Sequence, residues 1–381
     1  MEKIKLSAII KIADKAREIA KSGERVIRLD TGEPHFITPK RAIDGAVKAL
    51  NNELTHYSHS RGIEELRNKL CELYNEKYSL NLTSGENIII TPGAKQAIFY
   101  TALALIDRDD EVIIPSPGWV SYEEIVRMAD GIPVFAEARQ EEGFTVKFET
   151  IKEKITLKTK AIFLNSPNNP TGKVIDYENL KKIYELCLEK DIWLVADEIY
   201  DEIIFKEGAF TSILSVAGGL KNIIYINGFS KTYAMTGWRL GYIIALPELI
   251  GAVLKIQQNS ITCPTTFIQH GAVTALGQEK EFIKSSVDFY GQNKKRLLEA
   301  LSQMDKFSAI EPDGGLYLLI NVSKINASSY DFCLELLDKC RVSAIPGIAF
   351  GQNCEGFIRI CLATEKENID EFIKRLKDAY C

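Results

Sequence analysis

The run Asn227-Gly228-Phe229-Ser230-Lys231-Thr232-Tyr233 and its continuation to Gly241 sets a lysine just after an apolar strand pattern. A hydroxyl directly precedes Lys231, and Arg239 lies eight residues on. A lysine amine condenses with an aldehyde to a Schiff base, and a serine with an arginine suits a phosphate. The spacing therefore fits an aldehyde cofactor that carries a phosphate, although other aldehyde or phosphate ligands fit it too. An exposed loop lysine paired with an acid would read the same way locally. A buried lysine, by contrast, loses its charge readily and becomes nucleophilic.

Three further segments carry groups of the same kind. Asp197-Glu198-Ile199-Tyr200 follows Ile-Trp-Leu-Val-Ala, so Asp197 would be partly buried and in need of a cation or hydrogen bonds. A protonated ring nitrogen is such a cation, with Tyr200 able to bond a nearby phenolate oxygen; the plainer alternative is a helix N-cap at Asp197. Asn165-Ser166-Pro167-Asn168-Asn169-Pro170-Thr171-Gly172 offers amides on a backbone fixed by two prolines, or simply a turn. Thr91-Pro92-Gly93-Ala94-Lys95-Gln96 is a small-residue turn opening a helix, and free N–H groups at helix starts bind phosphate.

Positioning these groups requires strand ends. From about residue 87, β-branched runs alternate with helical patterns, which predicts a mainly parallel sheet between helices, an α/β fold. Strands are expected at 87–91, 111–114, 132–136, 160–164, 192–196, 223–227 and 240–245, and helices at 94–106, 119–129 and 177–190 among others. In such open sheets ligands bind beyond the carboxyl ends of the strands, where three of the four segments fall directly. Past residue 279 a long charged helix at 280–303 and strands near 316–320, 341–345 and 356–361 predict a smaller α+β domain, joined by a continuous helix. In Phe357-Ile358-Arg359-Ile360-Cys361, Arg359 shares a face with Phe357 and Cys361, so it either projects into an enclosed space and needs an anion or sits on an exposed edge strand. An amphipathic helix over 4–22, with Leu6, Ile9, Ile10, Ala13, Ala16 and Ala20 on one side, packs on a partner subunit or on its own domain.

At 381 residues the chain is long enough for a large domain plus a smaller one. Its 47 basic and 52 acidic residues, a net charge of -5 and no block of like charge argue against nucleic acid as a main partner. Eight cysteines without a CxxC pair and four scattered histidines indicate neither a metal site nor a disulfide framework, and fit a reducing compartment. The charged N-terminus and the lack of a long apolar run predict a cytoplasmic protein with no membrane contact.

Taken together, these segments strongly resemble the pyridoxal-phosphate aminotransferases of fold type I, class I/II, and within them the gamma subgroup with its aspartate aminotransferases. The resemblance covers nearly the whole chain. It is carried by Gly32-Glu33-Pro34, Tyr57 with Arg61-Gly62, Gly93-Ala94-Lys95-Gln96, Trp119-Val120-Ser121-Tyr122, Asn165 to Gly172, Asp197 to Tyr200, Ser230-Lys231 through Gly241, and Phe357-Ile358-Arg359-Ile360.

The resemblance implies a seven-stranded sheet in a large cofactor-binding domain (41–279), a small C-terminal domain (280–381), and an arm with part of the small domain at 1–40. It implies that Lys231 binds the pyridoxal phosphate covalently and then moves the proton at the substrate α-carbon. Asp197 would keep the ring nitrogen protonated, Asn169 and Tyr200 would bond the ring hydroxyl, and Trp119 would stack on the ring. Ser230, Arg239 and the amides of Gly93, Ala94 and Lys95 would hold the phosphate, with Tyr57 reaching it from the other subunit of a homodimer. Arg359, helped by the Gly32 backbone and Asn169, would clamp the substrate α-carboxylate. The expected reaction is amino transfer between an L-amino acid and a 2-oxo acid, first aspartate with 2-oxoglutarate because in some relatives a lysine at position 95 reaches the distal carboxylate. Lys95 facing solvent, aromatic or broad substrates, a C–S β-lyase, and a non-catalytic cofactor-binding module are the alternatives. The chain departs from common relatives at Gly228, where some carry a hydroxyl residue, at His35, where aspartate is frequent, and at Gly118, where an aromatic is frequent; the last two would reshape the substrate pocket.

Overall fold

The computed structural model describes residues 8–381. Its thirteen strands are β1 (Ile27–Arg28), β2 (Ile88–Thr91), β3 (Glu111–Ser116), β4 (Ile132–Glu137), β5 (Thr159–Asn165), β6 (Trp193–Asp197), β7 (Ile223–Gly228), β8 (Gly241–Ala245), β9 (Ser308–Ile310), β10 (Tyr317–Asn321), β11 (Val342–Ser343), β12 (Ile345–Pro346) and β13 (Phe357–Cys361).

Seven strands form the main sheet in the order β2-β8-β7-β6-β5-β3-β4. β3 to β7 run parallel, while β8 runs antiparallel to both β7 and β2. Near-continuous apolar runs such as Ile223-Ile224-Tyr225-Ile226 are what a strand covered on both faces requires. Two apolar clusters fill those faces: one with Ile90, Ile162, Leu194 and Ile244, the other with Ile89, Phe163, Val195 and Ile243. The alternation along each strand thus sends neighbouring residues into different cores.

The helices between strands end where local chemistry stops them. Helix Tyr177–Lys190 begins at Asp176, whose carboxylate accepts the Asn179 amide at 2.8 Å, and ends at Asp191 in the left-handed conformation. That cap delivers the chain into β6 and so to Asp197.

A second core lies outside the main sheet, around the four-stranded sheet β12-β13-β10-β9. Helix Lys280–Leu301 runs between the two regions: Ile283 packs on the main-sheet core, and Tyr290, Leu297 and Leu301 lie in the second. The expected strand at 341–345 is two short strands. Val342 pairs in parallel with Ile27, whereas Ile345 pairs antiparallel with Arg359, so the segment turns from one sheet to the other at Ala344. The alternation of only two residues on each side is too short to register as separate strands.

The amphipathic segment forms helix Ala8–Lys21 and packs on its own chain, with Ile12 in the second core, Ala16 buried, and Lys15 bound to Asp338 at 2.7 Å. Ala20 is exposed rather than on the apolar face, and residues 4–7 of the expected helix, Leu6 included, lie outside the described residues.

Candidate active site

Parallel β5, β6 and β7 end side by side, and this places three of the sequence segments together. Asn165 pairs in register with Asp197, and its amide donates to the Asp197 carbonyl at 2.9 Å, tying the two strand ends. The loop after β7 carries Lys231, and because β8 is antiparallel its entrance, with Arg239, returns to the same edge. A cavity of about 520 Å³ opens there, lined by Gly32, Glu33, Ala94, Lys95, Trp119, Asn169, Asp197, Tyr200, Ser230, Lys231, Arg239, Tyr317, Phe350 and Arg359 among others.

Asp197 is buried, and burial pushes its carboxyl up to about 6, against the pull of two hydrogen bonds from the Tyr122 hydroxyl at 2.6 Å and the Ile199 amide at 3.2 Å. It does not cap a helix, because the chain continues in turns. An acid so desolvated is best stabilised by a cation in the cavity, which the N–H of a protonated ring provides.

Beside it the chain forms a cup. Gly93 opens helix Ala94–Leu105 at φ +90°, where a Cβ would lie 2.6 Å from Arg239 Nη2. Gly241 lets the turn approach: its Cβ would lie 2.5 Å from the Ala94 nitrogen. The Gly93 amide already donates to the Thr91 carbonyl at 2.7 Å, so Gly93 contributes shape, while the amides of Ala94 and Lys95 open the helix without intrahelical acceptors. Ser230 and Arg239 complete the cup, with Arg239 held by the carbonyls of Thr236 and Pro92 at 3.0 and 3.3 Å.

Arg359 is buried on β13, which lies between β12 and β10 and is no edge strand. Its Nη1 donates to Asn169 Oδ1 at 3.0 Å and its Nη2 to the Asp30 carbonyl at 2.9 Å. Its Nε is buried with no partner. A buried guanidinium with a spare donor is poised for an anion. The residues present thus fit a phosphorylated ring with a basic nitrogen and a carboxylate beside it.

Lys231 donates its ammonium to the Gly32 carbonyl. Lys95 sits at the cavity rim with its ammonium 4.9 Å from the Trp119 ring centroid, and burial, then Arg239 and Lys231, lower its pKa. Tyr57 is 84% exposed and outside the cavity. His35 stacks on Phe289 at 5.4 Å, also outside the lining, so it does not shape the substrate pocket directly. Gly118 is required by backbone crowding, since a Cβ would lie 2.4 Å from the Pro115 carbonyl. Gly228 faces Gly241 across the strand pair, with a Cβ 3.0 Å from the Gly241 Cα, which leaves no easy room for a hydroxyl residue.

Sequence reasoning gave no role to Tyr122, Tyr317 or Phe350. Tyr122 stood within a matched segment, but its bond to Asp197 spans 75 positions. Tyr317 and Phe350 read as ordinary strand and loop aromatics.

A seven-stranded sheet of this kind, with an acid and a lysine at adjacent strand ends and a phosphate cup beside them, defines the class: pyridoxal-phosphate enzymes of fold type I. Residues 24–376 match the family model for aminotransferase class I and II. The probable aspartate/prephenate aminotransferase of Aquifex aeolicus is 36% identical over 99% of this chain and 96% of its own. The aspartate aminotransferase of Thermotoga maritima is 37% identical over 99% and 97%. The structure of the Thermus thermophilus aspartate aminotransferase with maleate superposes with a TM-score of 0.94 at 36% identity, covering 99% of this chain and 97% of that one. The chain belongs to the class I and II aminotransferases. It is therefore a pyridoxal-phosphate-dependent enzyme that carries out transamination.

Proposed function

We propose that the enzyme exchanges the amino group between aspartate and 2-oxoglutarate. The observation that carries the choice is the placement of Lys95: its accessible ammonium lines the same cavity as the buried Arg359, so a substrate with two carboxylates can meet a cation at each. The names of the Thermotoga and Thermus relatives point the same way.

When bound, the cofactor supplies an aldehyde carbon for amine exchange and a ring that withdraws electrons from the substrate α-carbon. The chain's own groups then divide the work. Lys231 Nζ would hold the cofactor at its aldehyde carbon and, when displaced from it by the substrate amine, would take and return the proton at the substrate α-carbon. Asp197 holds the ring N–H charged, and the Tyr122 hydroxyl keeps the carboxylate aimed. Asn169 and Tyr200 hydrogen-bond the ring oxygen, and Trp119 walls one ring face. Ser230, Arg239 and the Ala94 and Lys95 amides hold the phosphate, with Tyr57 of a second copy closing the cup. Arg359, the Asn169 amide and the Gly32 backbone hold the α-carboxylate.

We read the chain as a large domain over 41–279, a small domain over 280–381, and a segment 1–40 that forms an arm and part of the small domain. The unit is a cytoplasmic homodimer. Rapid-mixing absorbance of the cofactor-loaded enzyme against a panel of amino acids tests the substrate. Aspartate should change the cofactor spectrum fastest, and Lys95→Ala should slow aspartate by about 10-fold or more while sparing aromatic donors. Preference for aromatic donors with aspartate indifferent to Lys95→Ala would overturn the assignment.

A further inference from the structure

Tyr317, at the start of β10, touches three parts of the site at once. Its ring centroid lies 4.1 Å from the Arg359 guanidinium carbon, and Phe350 lies 5.1 Å from the same carbon. Its hydroxyl lies 3.2 Å from the Tyr200 hydroxyl, with both side chains buried. A Cβ on Gly32 would lie 2.2 Å from that hydroxyl and 3.2 Å from the ring carbon that bears it.

We propose that Tyr317 is a positioning residue that couples the carboxylate clamp to the cofactor-ring contacts, and that position 32 is glycine to admit its hydroxyl. The inference rests on the site as read above.

Two separate functions follow from the two ends of the side chain. The ring is a flat floor for Arg359. The two guanidinium hydrogen bonds, to Asn169 and the Asp30 carbonyl, leave rotation about their common line unopposed, and the aromatic ring opposes it. With the plane fixed, the unpartnered Nε faces a carboxylate instead of swinging away. The hydroxyl acts on Tyr200. Of the two hydrogens on this pair only one can lie between the oxygens. If Tyr317 donates it, the Tyr200 hydrogen is free to point into the cavity, where a ring oxygen would accept it. Gly32, whose carbonyl accepts from Lys231, is thereby placed in van der Waals contact with the same switch point.

The test separates these parts with Tyr317→Phe, Tyr317→Leu, Gly32→Ala and the double variant Gly32→Ala/Tyr317→Phe. Two quantities are read on each loaded enzyme: the dissociation constant for maleate, a dicarboxylate that carries no amine, and the pH midpoint of the bound cofactor's absorbance change. Tyr317→Phe keeps the floor, so maleate binding should stay within about 3-fold, while the midpoint rises by roughly half a pH unit because the Tyr200 hydroxyl, no longer accepting a hydrogen bond from Tyr317, donates more weakly to the ring oxygen. Tyr317→Leu should weaken maleate about 10-fold. Gly32→Ala should weaken maleate by a similar factor, and adding Tyr317→Phe should restore it, since the atom in the way is gone. Maleate binding unaltered in Tyr317→Leu, or Gly32→Ala with no rescue by Tyr317→Phe, overturns the coupling. Wild-type enzyme that neither binds maleate nor shows a cofactor band would instead reject the reading of the site itself, so the two failures are distinct.

Discussion

The side chains at the cavity differ in how far their chemistry depends on neighbours. Lys231→Ala removes the amine that reaches the Gly32 carbonyl, and transamination should fall to background while the cofactor still binds non-covalently. Dialysis followed by absorbance checks the binding, and substantial turnover would reject the mechanism. Asp197 permits a sharper prediction because its sign can be worked out. Unfolded, an aspartate ionises near pH 4, but in the fold burial holds it to about 6. Between those values the unfolded chain carries fewer protons, so the stability of the cofactor-stripped protein falls as pH rises from about 4 to about 6 and stays lower above. At pH 8 the cost is on the order of 3 kcal/mol. Asp197→Asn should therefore make the stripped protein more stable than wild type at pH 8 and equal to it at pH 4, while abolishing most activity. Denaturant titrations at a series of pH values read this out. Glu198, also buried and pushed up to about 8, acts in the same direction in both proteins and so drops out of the difference.

At the scale of elements, the site depends on a reversal of one strand. Because β8 runs against β7, the chain comes back to the carboxyl edge before it re-enters the sheet, and Arg239 meets the start of helix Ala94–Leu105. Gly241 is where backbone meets backbone. Gly241→Ala would drive a Cβ to 2.5 Å from the Ala94 nitrogen, and since neither partner is a flexible side chain the turn must shift. We expect a loss of about 1–3 kcal/mol in stability, and a larger proportional loss in cofactor affinity because the phosphate donors move. Fluorescence titration of the stripped variant with pyridoxal phosphate would show it; wild-type affinity would mean that the cup is not built by this contact. The strands themselves were plain from β-branched runs, and the seven expected positions match β2 to β8. The reversal of β8 was not, because a strand between a loop and a helix reads the same in either direction.

For the whole molecule, the informative surface is the helix Lys40–Asn51. One face buries Ala42, Ala46 and Ala49, while Ile43, Val47 and Leu50 on the other are exposed, with Ile37, Leu54 and Tyr57 nearby. Spacing of four and three residues makes the exposed set a stripe, and apolar stripes of this kind mark contacts between chains. A second copy is the occupant that would also bring Tyr57 to a cup. Val47→Asp should shift the protein from dimer to monomer in sedimentation and weaken cofactor binding together; a monodisperse wild-type monomer with full activity would reject the shared site.

The sequence by itself determined the class of chemistry. A lysine, an acid and amides after apolar runs belong at strand ends for physical reasons that need no coordinates, since a buried strand can present polar groups only where it stops. Asn169, Asp197, Ser230 and Lys231 were legible in that way, Arg239 by its spacing from Lys231 and Arg359 by the strand face it shares with Phe357 and Cys361, and the family resemblance implied their roles. Only the tertiary structure decided that β13 is internal, which removes the reading of Arg359 as a surface charge, and that Tyr317, Phe350 and Tyr122 complete the site. Their part depends on distance across the fold rather than on neighbours in the chain. An aromatic residue in an apolar strand carries no local mark of what its ring or hydroxyl will meet, so the packing of β10 against the loop at Gly32 had to be seen before Tyr317 meant anything.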